Sequence, residues 1–201
     1  GSKAPFGSQW KEWQERRPTT ENLERWYTSG MTGVGLVCGR VSKNLEAFEF
    51  DDRETYDHFK IRAISTGLEA TVARLEANYL EESPSGGIHW LYYCFQISGN
   101  TKLASRIKRE DEKKSPTDKW KVLIETRGEG GFIVIAPSHG SVHPTGRPYV
   151  LHRGGVETIP TLTPEERETL WELARSFDEQ PKLEAPTRTE PSSGTIGSRP
   201  G

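Results

Sequence analysis

Apolar and polar positions change period along the chain, and each change marks an element. Trp10 and Trp13 fall three apart in a charged setting, and Leu23, Trp26 and Tyr27 recur at helical spacing behind Thr20 as N-cap. Two short helices packed on a sheet are expected there. The period then shortens. Val34–Cys38 and Leu45–Asp51 alternate as strands joined by a turn at Gly39–Asn44. Glu54–Ile64 and Leu68–Leu80 return to helical spacing, broken at Gly67 and stopped by Ser83-Pro84. Ile88–Gln96 is dense in β-branched and aromatic residues and predicts a strand. Trp120–Thr126 and Gly131–Ala136 predict a hairpin around the Gly128–Gly130 turn, with Tyr149–His152 as an edge strand. Thr163-Pro164-Glu165-Glu166 is a capping box with proline at the first helical position, opening a helix to about Glu179 whose Leu170, Trp171, Ala174 and Phe177 form an apolar stripe. Helices and strands alternate irregularly, so the expected class is α+β with a largely antiparallel sheet.

Composition adds a boundary. Residues 181–201 are rich in Pro, Ser, Thr and Gly and nearly free of large apolar side chains, so they cannot bury enough surface to offset their ordering entropy. They read as a disordered linker, residues 1–4 as a cloning scar, and residues 5–180 as one folded domain. No apolar run is long enough to span a membrane. Cys38 and Cys94 each lie inside an apolar run, which predicts buried thiols in a reducing, cytoplasmic setting and excludes a CxxC metal knuckle. The formal charge of -2 is not that of a generic DNA-binding domain. Any basic surface must therefore be local.

Three segments carry chemistry. In Phe48-Glu49-Phe50-Asp51, strand alternation puts Glu49 and Asp51 on one face. Adjacent carboxylates repel, and hard oxygen ligands suit magnesium or manganese; alternatively they face water and cap the next helix. Ser83-Pro-Ser85-Gly86-Gly87-Ile-His89 is a small-residue turn running into a strand. Its amides and His89 suit an anion, though an ordinary turn has the same composition. Glu125 interrupts an apolar strand with Arg127 on its face, either as a salt bridge or as a third carboxylate beside a phosphate-seeking arginine.

The order of these pieces, acid-x-acid, Gly-x-His, then an acid before the Gly-rich GEGGFIVIAPS run and a later HPTGRPY, resembles the prim-pol domain of the archaeo-eukaryotic primase superfamily, the N-terminal primase/polymerase module of phage and plasmid replication proteins. The likeness spans about Val34 to Tyr149, with Glu49 where that family usually has aspartate. It implies an RRM-like, mostly antiparallel sheet with an added N-terminal α/β unit, and a template-directed nucleotidyltransferase using NTP or dNTP. Glu49, Asp51 and Glu125 would hold two Mg2+ or Mn2+ ions about 4 Å apart. His89 would grip the β/γ-phosphates, with Ser85, Gly86 and Gly87 lining the turn and Arg127 nearby. Single-stranded or primed DNA and a fused or associated helicase, in a bacterial or phage-infected cell, are the implied partners and setting.

Lys102–Lys121 carries eight basic residues against four acids. Such a segment either tracks a template backbone through phosphate contacts or is a solvated insertion. The template otherwise passes beside Arg127, Arg147 and the N-terminal tryptophans. His139, His143 and His152 have no zinc-site spacing. Three rivals stand beside the primase reading: a non-catalytic nucleotide or single-strand-binding module of RRM-like fold, a rolling-circle nuclease that lacks its His-x-His pair here, and a purely structural module.

Overall fold

The structure is a computed structural model that describes Pro5 and residues 10–181. The expectations for residues 1–4 and for 182–201 lie outside the described residues. Four α-helices are described: α1 (Thr20–Thr28), α2 (Arg53–Ser65), α3 (Glu69–Asn78) and α4 (Pro164–Arg175). The strands are β1 (Val34–Val37), β2 (Leu45–Phe50), β3 (Tyr79–Glu82), β4 (Ile88–Cys94), β5 (Thr101–Ile107), β6 (Trp120–Arg127), β7 (Phe132–Ile135), β8 (Val150–Gly154) and β9 (Thr161–Leu162). The seven-stranded sheet runs β5-β6-β2-β4-β3-β8, with β9 added in parallel to β4, and β1 and β7 form a separate antiparallel pair. The α+β class and the mostly antiparallel sheet are as expected.

Alternation along the central strands divides the core. Phe48, Phe50, Ile88, Trp90, Tyr92 and Ile124 pack under α2, α3 and α4, in a cluster where Trp90 meets Phe48, Phe50, Tyr56 and Phe59. Leu45, Ala47, Tyr79 and Leu91 belong to a second cluster with Ile133 and Ile135 of β7. Among the described residues, that second face is covered by the β1–β7 pair together with Ile159 and Tyr149. Beyond them, Glu49 and Asp51 look into a cavity.

Several expectations need correction. Thr19, one residue earlier than predicted, caps α1 by accepting from the Asn22 amide. The 3-10 turn at Trp10–Gln14 meets a sheet through Trp10 on Phe132, whereas α1 buries no residue and packs Trp26 against Trp13. The second helical run ends at Asn78, because Tyr79–Glu82 pairs with β4 and β8 as β3, and tertiary pairing overrides local spacing. Lys102–Ile107 is no insertion: Thr101–Ile107 is an edge strand whose Leu103, Ala104 and Ser105 are buried. β6 and β7 do not pair with each other, since β6 joins β5 and β2 while β7 joins β1. Finally, α4 stops at Arg175, after which Asp178 and Glu179 hydrogen-bond to Ser105 and Ile107 of β5. The Thr163–Glu166 capping box and the apolar stripe of α4 are present as predicted.

Candidate active site

The site is built on one row of residues crossing five strands. In register, Glu81 of β3 faces His89 of β4, His89 faces Glu49 of β2, Glu49 faces Glu125 of β6, and Glu125 faces Lys102 of β5. Neighbouring strands lie about 4.8 Å apart, so five ionisable side chains occupy a strip on one face. Asp51, two residues beyond Glu49, joins them in lining a cavity with Ser83, Ser85, His89 and Glu125. Glu49, Asp51, His89 and Glu125, distant in sequence, are thus brought together as the sequence suggested.

Basic groups already flank the acids. Arg127 donates from Nε to Glu49 at 2.8 Å and from Nη2 to Glu125. Ala47 faces Arg127 in the register, and its small side chain leaves room for the guanidinium to lie over β2. At the other end, Lys121 Nζ lies 3.3 Å from Asp51 and 3.0 Å from Asp52. Burial pushes the Glu125 carboxyl above its ordinary value; Glu49 and Asp51 add to the rise, and Arg127 and Lys102 offset it only in part. For Asp52, burial is outweighed by the Thr55 amide and hydroxyl and by Lys121, which together lower its pKa.

The turn after β3 is tied inward. Ser83 Oγ accepts from the Gly87 amide, the Gly86 amide donates to the Ser83 carbonyl, and the Ser83 amide donates to the Gly87 carbonyl. The Gly86 and Gly87 amides are therefore engaged within the turn, which corrects the expectation that they point at an anion. Gly86 has φ +88°, and a Cβ on Gly87 would come within 2.4 Å of the Phe50 carbonyl oxygen. Glycine there lets the turn lie against the end of β2, and Ser83 and Ser85 line the cavity.

The sequence matches the family described as bifunctional DNA primase/polymerase, N-terminal, over residues 1–169. The chain belongs to that family. A Prim-Pol domain is a nucleotidyltransferase, so the chain is an enzyme whose family works on DNA and nucleotides and uses divalent metal. Comparison with individual curated proteins gave no match. Among the described residues, no helix is long and apolar enough to cross a membrane.

Three further residues beside the side chains of Glu49, Asp51, His89 and Glu125 escaped sequence reasoning. Lys121 shares the alternation Lys121, Leu123, Glu125, Arg127 and was readable there, but it was grouped with the charged segment before it. Tyr149, which ends the HPTGRPY stretch, is buried with its ring centroid 6.0 Å from that of His89; burial, then Glu81 and Glu49, push its hydroxyl up to about 12. Glu81 is concealed in the sequence because Tyr79–Glu82 continues the helical spacing of the preceding run. Both cysteines are buried and free, and burial first, then Glu49, raise Cys38 to about 12, so it is an inert thiol.

The charged segment is folded on itself. Arg106 clasps Glu112 at 2.7 and 2.6 Å, Lys108 holds Asp118 at 2.7 Å through both oxygens, and Lys113 pairs with Glu110. Arg106 and the Arg109 amide hold the Glu112 carboxyl down at about 2. Lys114 and Lys119 remain exposed.

Proposed function

We propose that this Prim-Pol domain joins an NTP or dNTP to a 3'-hydroxyl as a template directs, with Glu49, Asp51 and Glu125 holding Mg2+ or Mn2+ and His89 gripping the triphosphate. The observation that carries this reading is the convergence of three carboxylates and a histidine from β2, β4 and β6 on one cavity. The donor set fits a hard divalent cation: all three ligands are carboxylates, and Glu125 is pushed up first by burial and then by Glu49 and Asp51, so the strip favours added positive charge. Among the described residues, no three His, Cys, Asp or Glu side chains are yet arranged as ion ligands, because Arg127 holds Glu49 and Glu125. Two ions, as the family resemblance implies, belong to the same proposal.

When bound, the metal lowers the pKa of the attacking hydroxyl and offsets charge on the triphosphate. The 3'-oxygen forms a bond to the α-phosphorus, the bond from that phosphorus to the bridging oxygen breaks, pyrophosphate leaves, and the hydroxyl proton passes to solvent. No side-chain nucleophile is required. His89, walled by Tyr149, carries a hydrogen on each ring nitrogen when the triphosphate is bound and donates from Nε2 to a phosphate oxygen, and Ser83 and Ser85 line the phosphate end of the cavity. Arg127 presents a planar fork suited to phosphate. Its release from Glu49 and Glu125 would free those carboxylates for the cation and the guanidinium for the nucleotide.

The sheet with helices on one face and the β1–β7 pair on the other supports the relation to the RRM-like primase core. A role in phage or plasmid replication beside a helicase rests on the family alone. The test is incubation with a primed template, labelled dNTP or NTP, and Mg2+ or Mn2+. Extension abolished by a chelator is expected; divalent-dependent nucleotide binding without incorporation under either metal would support a binding module instead.

A further inference from the structure

We propose that Glu81 is the positioning residue for His89: it takes the hydrogen on Nδ1, fixes the ring, and leaves Nε2 as the nitrogen that serves the cavity. Glu81 has no solvent exposure, and a buried carboxylate is tolerated only when its oxygens are satisfied. Its Oε1 lies 2.9 Å from His89 Nδ1, while Oε2 accepts the Tyr79 hydroxyl at 2.9 Å and the Ala136 amide at 2.6 Å. A carboxylate offers only lone pairs, so Nδ1 must carry the hydrogen. Nε2 then faces the other way, 3.8 Å from Glu49. A histidine whose second nitrogen is held by a carboxylate has one orientation and one assigned role for each nitrogen.

The same three contacts give the APS run a function. Ala136 donates to Glu81, and two residues later Ser138 Oγ accepts from the Val34 amide at 2.7 Å and donates to the Val34 carbonyl at 3.1 Å. The segment after β7 is thereby pinned to β1 on one side and to Glu81 on the other. The imidazole is held from β3, from the β1–β7 pair and, through Tyr149, from the segment before β8. A displacement of the β1–β7 pair would reach the nucleotide through this carboxylate.

The consequence for nucleotide binding rests on the proposed phosphate role of His89; the assignment of the nitrogens does not. Glu81→Gln keeps the volume but can accept at one end only. With the amide oxygen retained by Ala136 and Tyr79, its NH2 group meets Nδ1, which must then accept, so the ring keeps a single hydrogen, on Nε2, and loses the positive charge it brings to the phosphate. Nitrogen NMR of 15N-histidine protein should show a protonated Nδ1 in the wild type and an unprotonated one in Glu81→Gln. In primer extension the variant should raise the nucleotide KM about tenfold, the difference between a charge-assisted donor and a neutral one, with kcat largely kept. Glu81→Asp, which retains the charge, should recover part of that loss. Glu81→Gln added to His89→Ala should cost nothing further, since Glu81 acts through the ring. An unprotonated Nδ1 in the wild type, an unchanged KM in folded Glu81→Gln, or losses that add to those of His89→Ala would each overturn the proposal. If His89→Ala alone leaves KM unchanged, the phosphate role falls, and the nitrogen spectra of wild type and Glu81→Asp still decide the positioning role.

Discussion

Glu125 shows why the site is built on the residues it has. The carboxyl is pulled from water by burial and faces Glu49 and Asp51, and two cationic neighbours do not restore its ordinary acidity. A group whose pKa is raised on folding contributes stability below its unfolded value, here 4.5, and loses that contribution as pH rises through the folded value. At neutral pH the ionised Glu125 is therefore a liability to the metal-free fold. Glu125→Gln should melt at a higher temperature than wild type at pH 7 in a chelator, and the gap should close as the buffer approaches pH 4.5; adding Mn2+ should raise the wild type more than the variant. A lower melting temperature for the variant in chelator would show that the Arg127 bond outweighs burial. Strand alternation puts Glu49 with Asp51 and Glu125 with Arg127 on one face, and His89 follows a small-residue turn, but it is the order of the three motifs that joins these residues from sequence. Glu81 could not be found this way, because its role depends on a strand pairing that local spacing conceals.

At the scale of elements, β5 and β6 carry the clearest divergence between charge pattern and charge function. Read along the chain, Lys102–Lys121 is a basic run; folded, most of its cations are held by acids within the same hairpin or by Asp51 and Asp52. Sequence gives the count of charges but not which are already paired across a turn. β5 is hidden for a related reason, since a short edge strand that carries Lys102 and Arg106 reads as a solvated loop. The helices were easier: the α4 capping box and the Gly67 break are local signals that need no partner. If the hairpin contacts a template, the exposed Lys114 and Lys119, outside the row that crosses the candidate site, are suited to do so. Changing both to Gln should flatten the log–log salt dependence of single-strand binding by about 0.7 per lost phosphate contact. Arg106→Gln should instead loosen the hairpin, read as faster amide exchange in β5. An unaltered slope in the double lysine variant would move the template path to Arg127, Arg147 and the N-terminal tryptophans.

Across the whole molecule, the sheet separates stability from chemistry by side-chain parity. On β2, Glu46 faces the helices while Glu49 faces the cavity, three positions and one sheet face apart. Glu46 is fully buried and takes Arg167 of α4 at 2.6 and 2.8 Å and the Tyr92 hydroxyl at 2.5 Å, with the guanidinium over Trp171. That pair locks α4 onto the strand that carries Glu49. Arg167→Ala leaves a buried carboxylate without its counter-charge and should cost about 3–5 kcal/mol, seen as a lower denaturation midpoint with nucleotide KM unchanged in the folded fraction; a midpoint within error of wild type would contradict the clamp. Asp51 is the opposite case, with half its side chain exposed, a bond to Lys121 and no place in either core. Its removal isolates chemistry from folding. The central claim is that the carboxylates on this face support metal-dependent nucleotidyl transfer, and primer extension by Asp51→Asn in Mg2+ or Mn2+ tests it most directly. The expected result is loss of incorporation in a protein that melts at or above the wild-type temperature; extension at the wild-type rate by that variant would contradict the account.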